Sequence, residues 1–347
     1  MSEHEILCER RGSAGLITLN RPHALNALTL VMVREMRRAL DGWEADPAVT
    51  RVVVSGAGEK AFCAGGDIRR LYDLGKAGRQ EEARVFWREE YELNIAIKRY
   101  RKPYVALVDG IVMGGGVGVS LHGSHRVAGE RALFAMPEVG IGFFPDVGAT
   151  YALARLPDRT GTYLAMTGER IRAADMLALG LATHAAPSAA IAGIRDALAA
   201  GEPVDEVLAR ASVDPGPAPL EAVRPIIARC FSAESVAGIL ARLDADGSEF
   251  ARKTADAMRT KSPTSLAIAL EQMRRGPGLS FEEAMRTEFR IVSRLCEGHD
   301  FYEGVRAVII DKDGAPRWRP ATLDEVSPAA VAAHFAPLGD GELEAPR

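Results

Sequence analysis

Two glycine clusters constrain this chain more than any other feature. Gly65-Gly66 closes the loop GAGEKAFCAGGD, Gly114-Gly115-Gly116 lies in GIVMGGGVG, and each loop follows an apolar strand. Glycine lets a backbone approach a ligand closely and adopt positive φ, so its amide N–H groups can point at an anion or a carbonyl oxygen. Two such loops at strand ends can converge on one oxygen, the arrangement in which preorganised N–H donors stabilise charge developing on a carbonyl. The triple glycine also opens a helix, VGVSLHG, which adds a helix N-terminus to the same spot. Taken alone, either loop reads more simply as a tight turn. The familiar glycine motifs are absent: there is no G-x-x-x-x-G-K-[ST], and neither loop fits G-x-G-x-x-G. The stretch Gly118 to His122 misses the G-x-S-x-G elbow, because His122 stands where glycine is required.

The surrounding pattern is that of an α/β protein. GLITLN reads as a buried strand stopped by Arg21-Pro22. Leu30, Val33, Met36 and Leu40 then recur at helical spacing, with Thr29 or Asn26 placed to cap the helix. RVVVSG and KPYVALVDG are further strands, so strand, helix and strand alternate through the first half. From about Gly161 the character turns helical. A boundary near Pro187 divides an α/β core, 1–186, from a mainly helical C-terminal region, 187–347.

Charge and cysteine usage narrow the setting. A net charge of -4 gives no reason to expect nucleic acid or an anionic membrane as the main partner. Cys8, Cys63, Cys230 and Cys296 form no C-x-x-C pair, which argues against a zinc site or a disulfide framework and for a reducing compartment. The start, MSEHEILCERRG, is charged, and no run is long enough to cross a bilayer. The expectation is a cytoplasmic globular protein.

Two carboxylates stand out. Glu138 and Asp146 sit in FAMPEVGIGFFPDVGA, among Met136, Ile141, Phe143 and Phe144. Burying a carboxyl there is expensive, and an apolar setting raises its pKa toward the range useful for acid–base or nucleophilic work. Pro137 and Gly140 fix Glu138 in a loop, which favours a functional role for it. Asp146 has a competing reading as the N-cap of a helix starting near Val147. Glu90, in FWREEYELNIAIKRY, reads by itself as a solvated face charge, and Asp67 as the cap of the helix from Ile68 to Leu74. His122, His125 and His184 show no metal-ligand spacing.

With these motifs in view, KAFCAGGDI followed by KPYVALVDGIVMGGGVG resembles the crotonase (enoyl-CoA hydratase/isomerase) superfamily. LNRPHALNAL, LFAMPEVGIGFFPDVGATYALARLP and LAMTGERIRAADMLALGLATHAAP continue the likeness. The ending EFRIVSRLCEGHDFYEGVRAVIIDKDGAPRWRPATLDEV is similar to that of the 3-hydroxyisobutyryl-CoA hydrolase subfamily. The resemblance implies a spiral core of repeated ββα turns with C-terminal helices, acting on an acyl-CoA thioester. It places oxyanion-hole donors on the N–H groups of Gly66 and Gly115, and substrate contacts on Glu90, Gly115, Glu138 and Asp146. Hydratases of the superfamily use two glutamates; the second matches Glu138, but the first falls at Gly118, which has no side chain.

The implied reaction is hydrolysis of a short, branched 3-hydroxyacyl-CoA, as in valine breakdown. Glu138 acts as nucleophile or general base, Asp146 orients the water or the acyl hydroxyl, and Glu90 binds the 3-hydroxyl. Enoyl-CoA hydration or isomerisation, or non-catalytic acyl-CoA binding, are the competing readings. No metal or redox cofactor is implied, since CoA enters as part of the substrate. Arg69, Arg70 and Lys60 are candidates to meet its phosphates. The superfamily commonly forms trimers and hexamers, and the helical half is free either to join subunits or to fold back over its own site.

Overall fold

Val52, Val53 and Val54 are all buried, as consecutive β-branched residues are when a parallel strand is covered on both faces. The computed structural model describes residues 4–344. Its strands are β1 (Ile6–Arg11), β2 (Ala14–Leu19), β3 (Arg51–Gly56), β4 (Ala61–Cys63), β5 (Tyr104–Val108), β6 (Ile111–Met113), β7 (His125–Gly129), β8 (Leu133–Ala135), β9 (Ile171–Arg172) and β10 (His184–Ala186). A larger sheet runs β1-β2-β3-β5-β7-β10 and a smaller one β4-β6-β8-β9. Pairing is parallel except between β1 and β2 and between β8 and β9.

The order shows the spiral. β3 lies in the large sheet, β4 in the small one, and helices Ile68–Lys76 and Gln80–Arg99 follow. β5, β6 and helix Gly115–Leu121 repeat the turn, and β7, β8 and the 3-10 turn Glu138–Ile141 repeat it again. Each turn therefore delivers the end of a small-sheet strand, and the loop after it, to the same side of the molecule.

Side chains alternate across the large sheet with the period of two that pleating dictates. Leu16, Val53, Val105, Leu107 and Val127 face Ile194, Leu198, Val207 and Leu208 of helices Ile191–Ala200 and Val204–Ala211. Ile17, Leu19, Val52, Val54, Ala106 and Val108 face the main core. Helix Leu30–Ala45 packs there through Met32, Val33, Met36 and Leu40, with its first turn capped by Thr29.

Among the described residues no strand follows β10, and the later helices return to the core. Helix Phe281–Leu295 lies along Gln80–Arg99, with Phe289 edge-on to Tyr91 at 6.3 Å and the Arg88 guanidinium 4.4 Å from the Phe289 ring centre. Phe301, from helix Asp300–Val305, packs on Trp87 and Phe143 at 5.9 and 5.4 Å. The helical half thus folds back over its own core, which the sequence left open. No helix among the described residues is long and apolar enough to cross a membrane.

Candidate active site

Gly66, Gly115, Glu90, Glu138 and Asp146, the five residues singled out from the sequence, all line one cavity of about 410 Å³. Its apolar wall includes Phe86, Trp87 and Phe143, the last two stacked 5.7 Å apart, and its mouth includes Val308 and Ile309 from the C-terminal half.

The glycine loops meet. A methyl built on Gly114 would lie 3.3 Å from Gly65 Cα and from Glu138 Oε1. The first loop is pinned to Leu28, whose N–H donates to the Gly65 carbonyl and whose own carbonyl accepts from Asp67. This pairing leaves the Gly66 N–H without an acceptor among the described residues. In helix Gly115–Leu121 the first bonds run from Val117 and Gly118 to the Gly114 carbonyl, so the Gly115 N–H in the first turn is also free. Two unused donors therefore stand on adjoining loops at one cavity. A side chain on Gly115 would press on Glu90 Oε1, 2.5 Å from where its Cβ would be.

The three acids are buried: Glu90 is 2%, Asp146 5% and Glu138 7% exposed. Neither Glu90 Oε1 nor Glu138 Oε2 has a hydrogen-bond partner among the described residues. Asp146 Oδ2 accepts from the Tyr91 hydroxyl at 2.8 Å. Burial pushes Asp146 up to about 7, with the Tyr91 bond opposing it. Burial first, and then the charge of Asp146, hold Glu138 and Glu90 well above the usual carboxylate range. Glu90, a face charge by sequence, is buried on the side of its helix that meets the glycine loop, with Oε1 2.5 Å from where a Cβ on Gly115 would lie.

The capping alternative for Asp146 does not hold. The helix starts at Ala149, and the Gly148 and Thr150 amides donate to Glu288 at 2.7 and 2.8 Å instead. Asp67 does cap its helix, accepting from the Arg70 N–H. His122 bonds the Val147 carbonyl through Nε2 at 2.6 Å, and burial lowers its pKa to about 4, so the neutral ring donates. Sequence reasoning missed Glu288, although a signal existed: it lies in the apolar stripe of Phe281, Met285, Val292 and Leu295. It also missed Arg170 and Lys261, which line the cavity beside Glu138. Of the basic candidates, Arg70 lines a neighbouring cavity of about 620 Å³, Arg69 donates to the Ile309 carbonyl, and Lys60 is exposed away from both.

No glutamate fits at position 118. A Cβ on Gly118 would lie 2.8 Å from both Asn94 Nδ2 and Val147 Cβ. Glu138 is left without the second glutamate that the hydratase pattern pairs with it.

The family model described as enoyl-CoA hydratase/isomerase matches residues 14–335. The chain belongs to the enoyl-CoA hydratase/isomerase family. Its fold is the crotonase spiral expected from the motifs. Within the family it is 45% identical to the 3-hydroxyisobutyryl-CoA hydrolase of Gallus gallus, over 99% of this chain and 91% of the relative. It is 46% identical to the Homo sapiens protein of the same name, over 99% and 93%. A crystal structure titled as a carnitinyl-CoA dehydratase from Mycobacterium thermoresistibile superposes with a TM-score of 0.95, at 45% identity and 99% coverage of both chains. The two hydrolases are named as mitochondrial, which overturns the expectation of a cytoplasmic protein. That expectation rested on cysteine usage and a charged start, and neither separates one reducing compartment from another.

Proposed function

We propose that this enzyme hydrolyses 3-hydroxyisobutyryl-CoA, a short branched 3-hydroxyacyl thioester, to 3-hydroxyisobutyrate and CoA. The observation that carries the reading is the site's composition: one glutamate and one aspartate beside two free amide donors, with no room for a glutamate at Gly118. The hydrolases of the family supply the substrate name, at 45% and 46% identity over nearly the whole chain.

The thioester oxygen lies between the Gly66 and Gly115 N–H groups, an oxyanion hole in which negative charge develops as the carbonyl carbon is attacked. In one route the Glu138 carboxylate attacks, the C–S bond breaks, the CoA thiolate leaves and takes up a proton, and water then cleaves the mixed anhydride. In the other, Glu138 takes a proton from water as its oxygen bonds to the carbon, and the proton passes to the departing sulfur. Both consume one water and release one acid and one thiol. Asp146 orients the water or the acyl hydroxyl and sets the protonation of Glu138. Glu90, with Oε1 unpartnered, meets the 3-hydroxyl. The reaction draws on these groups alone, with CoA present only as part of the substrate.

Hydration is a second reading, favoured by the dehydratase title of the superposed crystal structure. The test offers purified enzyme 3-hydroxyisobutyryl-CoA and crotonyl-CoA separately, following free thiol and loss of the conjugated enoyl. Thiol release from the first substrate supports hydrolysis. Enoyl consumption with no thiol from either overturns it.

A further inference from the structure

The segment carrying Asp146 is held from outside the cavity. On its N-terminal side the Pro145 carbonyl accepts from Gln272 Nε2 at 2.9 Å, and the same nitrogen bonds Thr150 Oγ1 at 2.7 Å. On its C-terminal side the Val147 carbonyl accepts from His122. The Gly148 and Thr150 amides then end on the two oxygens of Glu288. Backbone groups on both sides of Asp146 are therefore bound by three buried side chains, none of which lines the cavity.

This clamp coincides with strain. Val147 has φ of 52°, a left-handed conformation that a β-branched residue resists. Such a backbone persists only where its surroundings over-determine it. Two of the three clamping residues, Gln272 and Glu288, come from helices Pro263–Arg275 and Phe281–Leu295 of the C-terminal half.

We propose that Glu288, assisted by Gln272, is a positioning residue that holds the Asp146 segment in its strained form, so that the Asp146 carboxylate meets Tyr91 and faces the reacting centre. The proposal rests on the hydrolase reading above. It gives the C-terminal half a direct part in catalysis: the helices that return to the core set the geometry of an acid more than 120 residues earlier in the chain. The two amide bonds favour the ionised form of Glu288 and oppose the burial that pushes its carboxyl up to about 8. Both oxygens accept an N–H, which a carboxamide cannot reproduce.

The test compares Glu288→Gln, Asp146→Asn and the double variant in thiol release from 3-hydroxyisobutyryl-CoA. A displacement of ~1 Å at a reacting group costs on the order of a hundredfold in rate. Glu288→Gln is therefore expected to lower kcat about a hundredfold with KM held within about threefold. In the Asp146→Asn background it should add less than about threefold, because the group being positioned is already gone. Multiplicative effects in the double variant, or an unchanged kcat, overturn the proposal. If Glu288→Gln does not fold, Gln272→Leu carries the test, with a fall in kcat of about tenfold and the same non-additivity. A wild-type enzyme that releases no thiol counts against the hydrolase reading instead, and the crystal structure of the variant then decides the clamp. Val147 leaving φ near 52° with loss of the Tyr91–Asp146 bond supports it. An unmoved segment overturns it.

Discussion

The Tyr91 hydroxyl donates to Asp146 Oδ2 at 2.8 Å, joining the long helix Gln80–Arg99 to the loop after the third ββα turn. This bond opposes the burial that pushes Asp146 up to about 7. Without it the carboxyl ionises only at higher pH. A hydrogen bond to a charged group contributes about 1.5–3 kcal/mol. Tyr91→Phe is therefore expected to lower kcat about tenfold or more and to raise the Asp146 pKa, read from the pH dependence of thiol release. Unchanged kcat and an unmoved profile would show that the bond has no part in the reaction.

Asp146 in turn controls Glu138. Its charge adds to burial in holding Glu138 well above the usual range. In the proposed reaction Glu138 acts as nucleophile or base only when ionised, so kcat/KM should rise with pH through the limb set by Glu138. Asp146→Asn removes the repulsion and lowers the Glu138 pKa. The rising limb is expected to move to lower pH by about one unit or more, even as the maximum rate falls. A limb that stays in place would separate the two groups electrostatically.

The buried acids also make the free enzyme less stable as pH rises. Asp146 at about 7 and Glu288 at about 8 lie above their usual values, and Glu90 and Glu138 are raised too. Each is more basic in the folded chain than in the unfolded one, so the folded state binds more protons. Their stabilising contribution is complete below the unfolded carboxyl range, near pH 4, and is lost as pH climbs through about 7 to 8. Thermal denaturation should show Tm falling across that window, and Asp146→Asn should recover about 3–5 °C of it at pH 8. Equal melting points for wild type and variant at pH 8 would contradict this.

Gly115→Ala tests the proposed oxyanion hole. The added methyl meets Glu90 Oε1 at 2.5 Å, Leu28 Cδ1 at 3.1 Å and the Gly65 carbonyl carbon at 3.3 Å, so it crowds the junction of the two loops from which the amide is presented. Loss of one such donor lowers kcat by about a hundredfold to a thousandfold. The kinetics should show that fall with KM changed far less. A variant with normal kcat would place the carbonyl oxygen elsewhere.

Much of the site was legible in the sequence because its parts are local. Gly66 and Gly115 stand in loops whose strands announce themselves by apolar runs, and Glu138 sits in a short apolar segment bounded by Pro137 and Gly140. Asp146 was only half legible: its neighbour Val147 adopts positive φ, which nothing in a valine signals, and the cap it was expected to supply comes from Glu288 instead. Glu90 was hidden as an ordinary face charge, since its burial depends on the packing of its helix against the Gly115 loop, a contact that no local pattern signals. Lys261 reaches the cavity from the loop before Pro263–Arg275, a placement set by the packing of the C-terminal helices rather than by any local pattern.

The most direct test of the account is thiol release from 3-hydroxyisobutyryl-CoA by Glu138→Gln, set against the wild type under the same conditions. The substitution keeps the shape of the side chain and removes both its nucleophilic oxygen and its basicity, whichever of the two routes operates. The account predicts rapid release by the wild type and a fall of about a thousandfold or more in the variant, with the fold intact by melting temperature. A folded Glu138→Gln enzyme that releases thiol within about tenfold of the wild-type rate would contradict it, because the group placed at the reacting carbonyl would then be dispensable.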